Sequence, residues 1–200
     1  MNNKLYDAIF GFAVGDALGV PYEFKKRDSF FCKDMIGNGT WNQPAGTWSD
    51  DTSMILATMD SLAFSKKFNP YNMMDSFLKW YYNGEYTPWG QCFDIGNATL
   101  KALSRYKNGH DPVFCGGKTE FDNGNGALMR ILPFAFMNYN EETLDYACAL
   151  THNTARSKFA CEMYIKICQA LLNNILNYDD PYLVTIKNMK RTDVKSTGYV

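Results

Sequence analysis

Histidine is scarce in this chain: His110 and His152 are the only two, and no histidine cluster frames a zinc site. The six cysteines, Cys32, Cys92, Cys115, Cys148, Cys161 and Cys168, contain no C-x-x-C pair, a usage that fits reduced core thiols in a cytoplasmic protein. An excess of one charge is lacking too. Twenty Lys and Arg against 21 Asp and Glu leave a net charge of -1, which supplies no field for gripping a nucleic-acid backbone or an anionic membrane. The longest apolar helical pattern, Thr154 to Leu176, is interrupted by Arg156, Lys158, Glu162 and Lys166, so it reads as a soluble helix and not a membrane span. The N-terminus shows no apolar run of a secretion signal. No period-2 strand run, internal repeat or low-complexity segment occurs. With 46% hydrophobic residues in 200, the expectation is one all-α domain over residues 1–200, a compact helical bundle.

What is present concentrates in short polar motifs between apolar helices. Ser49-Asp50-Asp51-Thr52 precedes Ile55, Met59 and Leu62, which recur at i, i+4 and i+7 to form a buried face. Ser49 can cap that helix and the two acids fall in its first turn. Two carboxylates and a hydroxyl also make a hard-oxygen set suited to magnesium, manganese or calcium, and the stretch by itself leaves capping and metal binding both open.

An earlier helix, Asn3 to Leu18, carries Leu5, Ile9 and Phe12 on one face and is stopped by Gly19. At its end, Gly15-Asp16-Ala17-Leu18-Gly19-Val20-Pro21-Tyr22-Glu23 places acids at a bend that can point into a cleft. Residues 25 to 46 form a long loop of the kind that is functional or mobile. A helix from Pro70 to Tyr82 presents Met74, Phe77, Leu78 and Tyr81. Another, from about Gly96 to Lys107, follows Asp94, for which capping is the ordinary role. Gly116-Gly117-Lys118-Thr119 is no phosphate-binding P-loop, because Pro112 stands where that motif needs glycine and no apolar strand precedes it. Asp122 to Gly126 reads as a polar loop opening a helix, whose mouth favours anions and polar ligands. Helices then follow over Glu141 to Leu150 and Thr154 to Leu176, the latter with Phe159, Met163, Ile167, Ala170 and Ile175 along one face. His152 lies between them, where a structural hydrogen-bonded role is the ordinary one.

Taken in order, Gly15-Asp16-Ala17-Leu18-Gly19 with Pro21 and Glu23, Trp48-Ser49-Asp50-Asp51-Thr52, Asp94-Ile95-Gly96-Asn97, Gly124-Asn125-Gly126-Ala127 with Met129-Arg130, and Thr151-His152 resemble the ADP-ribosylglycohydrolase family, which includes dinitrogenase reductase-activating glycohydrolase and ADP-ribosylarginine hydrolase. The resemblance implies an all-helical fold and a two-ion site holding magnesium, with manganese possible. It further implies a hydrolase that removes ADP-ribose from a modified side chain of a protein or from a small ADP-ribosyl conjugate. By the same resemblance Ser49, Asp50 and Asp51 are metal ligands, Glu23 and Asp51 the catalytic acids, and Asp94, Asn125, Gly126, Met129 and His152 substrate-binding residues. One departure stands out. The family's late Gly-Asp-x-Asp-Thr motif, which supplies the other metal ligands, occurs nowhere in the sequence. The expectation is therefore a domain incomplete at its C-terminus, with the second metal half-site absent and hydrolysis impaired, or a non-catalytic member that binds ADP-ribose or has only a structural role.

Overall fold

The structure is a computed structural model that describes residues 3–173. Among them are six α-helices and no strand: α1 (Asn3–Gly19), α2 (Asp50–Ser65), α3 (Pro70–Asn83), α4 (Asn97–Lys107), α5 (Glu141–Ala149) and α6 (Ala155–Leu172). Short 3-10 turns fill several connections. The all-α expectation holds. The end of the long helical pattern, including Ile175, and the tail to Val200 lie outside the described residues.

Boundaries follow from local chemistry. Ser49 caps α2, Asn69 followed by Pro70 opens α3, Asn140 caps α5 and Thr154 caps α6, each side-chain oxygen accepting from a backbone N–H of the first turn. α3 ends on Gly84 in the left-handed region.

The core lies where α2 and α3 meet the 3-10 turns Leu128–Arg130 and Leu132–Phe136 and the inner faces of α5 and α6. Met54, Ala57, Met73, Met74, Phe77, Trp80, Leu103, Phe134, Leu150 and Ile165 form it. The buried register of α2 is Met54, Ile55, Thr58 and Ser61, so Met59 and Leu62, expected to be buried, are only partly so. Small hydroxyls and Ala57 let α3 come close and rotate that face toward it. In α6 the inward row is Cys161, Ile165, Cys168 and Leu172, while Phe159 is 62% exposed. Apolar residues surround most of this helix, so periodicity alone admitted two stripes, and packing against α5 selected the other.

The helix expected after Gly126 does not form. Residues 128–136 make two 3-10 turns, because Pro133 has no N–H to donate and obstructs the carbonyl one α-turn earlier. An anion site at an α-helix mouth is thereby removed from that loop. This segment instead inserts Arg130 into the interior, fully buried, where Nη2 donates to Ala147 O at 2.8 Å and Thr151 Oγ1 at 2.9 Å. The guanidinium also lies 4.9 Å from the Phe77 ring centre.

Candidate active site

Three segments bring their acids to the start of α2. The last turn of α1 supplies Asp16, whose carboxylate accepts from Ser49 N at 3.0 Å, Ser49 Oγ at 2.7 Å, Thr52 N at 3.1 Å and Thr52 Oγ1 at 2.6 Å. The helix thus has two caps: Ser49 Oγ accepts from Asp51 N at 3.3 Å, and Asp16 takes two further N–H groups. Ser49 spends its one proton on Asp16, which leaves a lone pair of Oγ beside Asp50 and Asp51.

Glu23 follows the 3-10 turn Val20–Tyr22. Its backbone carbonyl accepts from Thr40 Oγ1 at 2.5 Å and its Oε2 accepts from the Trp41 indole Nε1. The third segment carries Asp94. Two indoles tie it down: Trp48 Nε1 donates to Tyr86 O at 3.1 Å and Trp89 Nε1 to Thr47 Oγ1 at 2.9 Å, fastening residues 86–89 to the residues just before α2. Asp94 has φ +57, a left-handed conformation uncommon outside glycine. Gly96, not Asp94, is the cap residue of α4, so the ordinary capping role does not apply. Its carboxyl turns instead to Glu23, with which it shares a hydrogen bond.

The electrostatics is that of acids without a counter-charge. Burial first, then Asp51, Asp94 and Asp16, push the carboxyl of Asp50 well above the usual carboxylate range. Burial and then Asp16 raise Asp51, while burial and Glu23 raise Asp94. No Lys or Arg figures among the groups shifting these three. Such a set favours either protonation or a divalent cation.

Both Ser49 and Asp50 are buried, and the donor chemistry, two carboxylates and one hydroxyl lone pair, suits a hard cation. Among the described residues, however, no three acid, histidine or cysteine side chains stand ready around a single ion. A hard cation held there would take only part of its shell from the two carboxylates and the serine.

The second predicted group lies across the start of α4. Gly126 is packed so closely that a Cβ there would stand 2.7 Å from His152 Cε1 and 2.8 Å from Thr99 Oγ1, so any side chain would displace the ring or the hydroxyl. Residues 94–99 thus connect the acid cluster to the Gly124–Gly126 loop and His152. Asn125 is exposed, and its carbonyl accepts from Met129 N at 3.0 Å. Met129 points its side chain into the core at 5% exposure, leaving only backbone to meet a ligand.

His152 is 2% exposed, with Nδ1 2.9 Å from Thr151 Oγ1. Burial and then the Arg130 charge push its pKa down to about 4 from the ordinary 6.5. Between those values the unfolded chain binds a proton that the folded chain refuses, so this contribution to stability is lost as pH falls from about 6.5 to about 4. The shift is worth at most roughly 3 kcal/mol. Urea unfolding at pH 7 and pH 4.5 should show the gap in stability between wild type and His152→Gln narrowing in acid. A constant gap would refute the buried neutral ring.

Sequence reading missed Asp16 as a site residue and missed Trp41 altogether. For Asp16 a signal existed: an acid in the last turn of a helix opposes the macrodipole and needs another reason to be there. Trp41 carried none, since a tryptophan in a long loop reads as packing. A recess of about 1110 Å³ between residues 137–140, α5 and α6 contains none of the predicted residues.

A model of the family described as ADP-ribosylglycohydrolase matches residues 1–195. The chain belongs to that family. It is 29% identical to an ADP-ribosylarginine hydrolase, Tri1, of Serratia proteamaculans (strain 568), over 99% of this chain and 59% of the relative. It is also 29% identical to the ADP-ribosyl-[dinitrogen reductase] glycohydrolase of Rhodospirillum rubrum, over 80% of this chain and 55% of that protein. A solved structure titled ADP-ribosylglycohydrolase-related protein complex superposes with a TM-score of 0.71 at 31% identity, covering 85% of this chain and 56% of the other. This ADP-ribosylglycohydrolase-family chain thus spans a little over half the length of these relatives. No described helix is long and apolar enough to cross a membrane.

Proposed function

We propose that this chain carries the acid-bearing part of a magnesium-dependent hydrolase that releases ADP-ribose from arginine conjugates. The observation that carries the reading is the convergence of Glu23, Asp50, Asp51 and Asp94 from three separate segments with no basic residue among them. Naming of relatives for ADP-ribosylarginine and ADP-ribosyl-dinitrogen reductase supports the substrate class.

Ser49, Asp50 and Asp51 would hold magnesium or manganese. When bound, the ion supplies Lewis acidity and offsets the negative charge of the cluster. Breaking the bond between the ribose anomeric carbon and the guanidino nitrogen develops positive, oxocarbenium-like charge on the sugar, which carboxylates at that carbon stabilise. Glu23 takes the proton of the attacking water, and Asp51 orients that water. Asp94 holds the ribose hydroxyls as an acceptor. Asn125, the Gly126 backbone and the neutral His152 ring line the remainder of the ADP-ribose, with Met129 present through its main chain.

The test is incubation of the protein with ADP-ribosyl-arginine with and without magnesium, followed by measurement of free ADP-ribose. Release that depends on magnesium is the expected result. A second reading, a non-catalytic ADP-ribose binder, is favoured by the lack of three ready acid, histidine or cysteine donors around one point among the described residues. That reading predicts a raised melting temperature with ADP-ribose and no release.

A further inference from the structure

The long loop between α1 and α2 folds back on the turn that carries Glu23. Gly39, at φ +71, lies so close to that turn that a Cβ would stand 2.3 Å from Pro21 O, a conformation and an approach that only glycine permits. The loop tip is braced from within, with Asn38 N donating to Gln43 O at 2.6 Å and Asn42 N to Gly39 O at 3.3 Å. From this braced tip Thr40 Oγ1 holds the main chain of Glu23 and the Trp41 indole N–H holds its carboxylate. The indole is fixed in turn. Its ring lies 5.9 Å from Phe24, at 70° between planes, and 5.9 Å from Phe93, the neighbour of Asp94.

We propose that Trp41 is a positioning residue that sets the direction of the Glu23 carboxylate, and that the loop around Gly39 exists to deliver it. The proposal rests on the assignment of Glu23 as the reacting acid. An indole suits this place for a physical reason. Glu23 stands among Asp51 and Asp94 in a cluster short of positive charge, where Lys or Arg would orient it equally well but would compete with a cation for the same carboxylates. The indole N–H donates one hydrogen bond, carries no formal charge and cannot titrate. It aims one oxygen of Glu23 and, bringing no charge, leaves the carboxylate able to take a proton. Its edge-on contact with Phe24 and tilted contact with Phe93 add packing to the hydrogen bond in setting the direction of the donor.

The test uses the full chain with magnesium and ADP-ribosyl-arginine, and compares Trp41→Phe, Glu23→Gln and the double variant. Phenylalanine keeps a ring between Phe24 and Phe93 and removes only the donor. Trp41→Phe is expected to lower kcat roughly 10- to 100-fold with KM within about twofold. The double variant should be no slower than Glu23→Gln alone, because Trp41 acts through Glu23. Additive losses, or a KM effect without a kcat effect, would make Trp41 a packing residue and overturn the proposal. If Glu23→Gln itself turns over normally, the assignment of Glu23 fails instead.

A second readout needs no turnover. Four tryptophans give four indole N–H signals in a proton–nitrogen correlation spectrum, and Trp41→Phe identifies the relevant one. In Glu23→Ala that signal is expected to move upfield further than the other three. An unmoved Trp41 signal overturns the placement whether or not the chain is active.

Discussion

Asp16→Ala is expected to cost about 3 kcal/mol or more of folding stability and to abolish any stabilisation by magnesium. The carboxylate of Asp16 accepts from two backbone N–H groups and two hydroxyls at the start of α2, on residues that are 1% and 2% exposed. Its removal strands four donors in a place that water reaches poorly. Each unsatisfied buried donor costs about 1–3 kcal/mol, and the costs overlap because Ser49 and Thr52 can relax together. Against a total stability of about 5–15 kcal/mol, that is a severe loss for a half-buried residue at a helix end. Magnesium binding should suffer separately. Without Asp16 to take its proton, the Ser49 hydroxyl is free to turn toward Asp51, whose Oδ2 is already 3.4 Å away, and that rotation points hydrogen where a cation needs a lone pair. Asp16→Asn is the informative companion, since the amide oxygen can still accept from the three donors that meet Oδ2 while its NH2 opposes the Ser49 hydroxyl that meets Oδ1. Urea unfolding with and without magnesium measures both effects. A loss below about 1 kcal/mol would show that Ser49 caps the helix unaided.

The second large effect belongs to Glu23. Glu23→Gln preserves size and can still accept from Trp41, but it holds no charge and takes no proton. Turnover of ADP-ribosyl-arginine is expected to fall by roughly 10²- to 10⁴-fold, the usual worth of a positioned general acid or base. ADP-ribose affinity, read by calorimetry, should change only a few-fold, because the substitution removes an interaction of the transition state rather than one of the bound ligand. Wild-type turnover in this variant would leave the acid cluster without a catalytic role for Glu23.

Much of this arrangement is legible in the sequence where the chemistry is local. The Ser49 cap of α2, the proline that opens α3 and the glycine that ends α1 all act within a few residues of themselves, and helix boundaries read from them fall within a few positions of those observed. Which side of a helix is inward is a different matter. α2 and α6 carry apolar or small residues over most of their circumference, so the choice of Met54 over Met59, or of Cys161 over Phe159, was made by the partner helix. Pro133 lies within the helix expected after Gly126, and 3-10 turns form there instead. At the site the balance is similar. Asp50 and Asp51 announce themselves as a pair, whereas the part played by Asp94 depends on a left-handed backbone in a segment fastened to the residues before α2 by Trp48–Tyr86 and Trp89–Thr47, contacts between residues far apart in the chain.

Those indoles have a spectroscopic consequence. Trp41 grips Glu23, Trp48 and Trp89 stitch the loop leading to Asp94 onto the residues before α2, and only Trp80 is sealed at 0% exposure in the core. Three of the four tryptophans therefore sit on the acid-bearing end, with none on α5 or α6. The emission of the unlabelled protein is in effect a local gauge of that end, with one quiet background ring, and a change in its colour or intensity reports the acids' surroundings before it reports anything else.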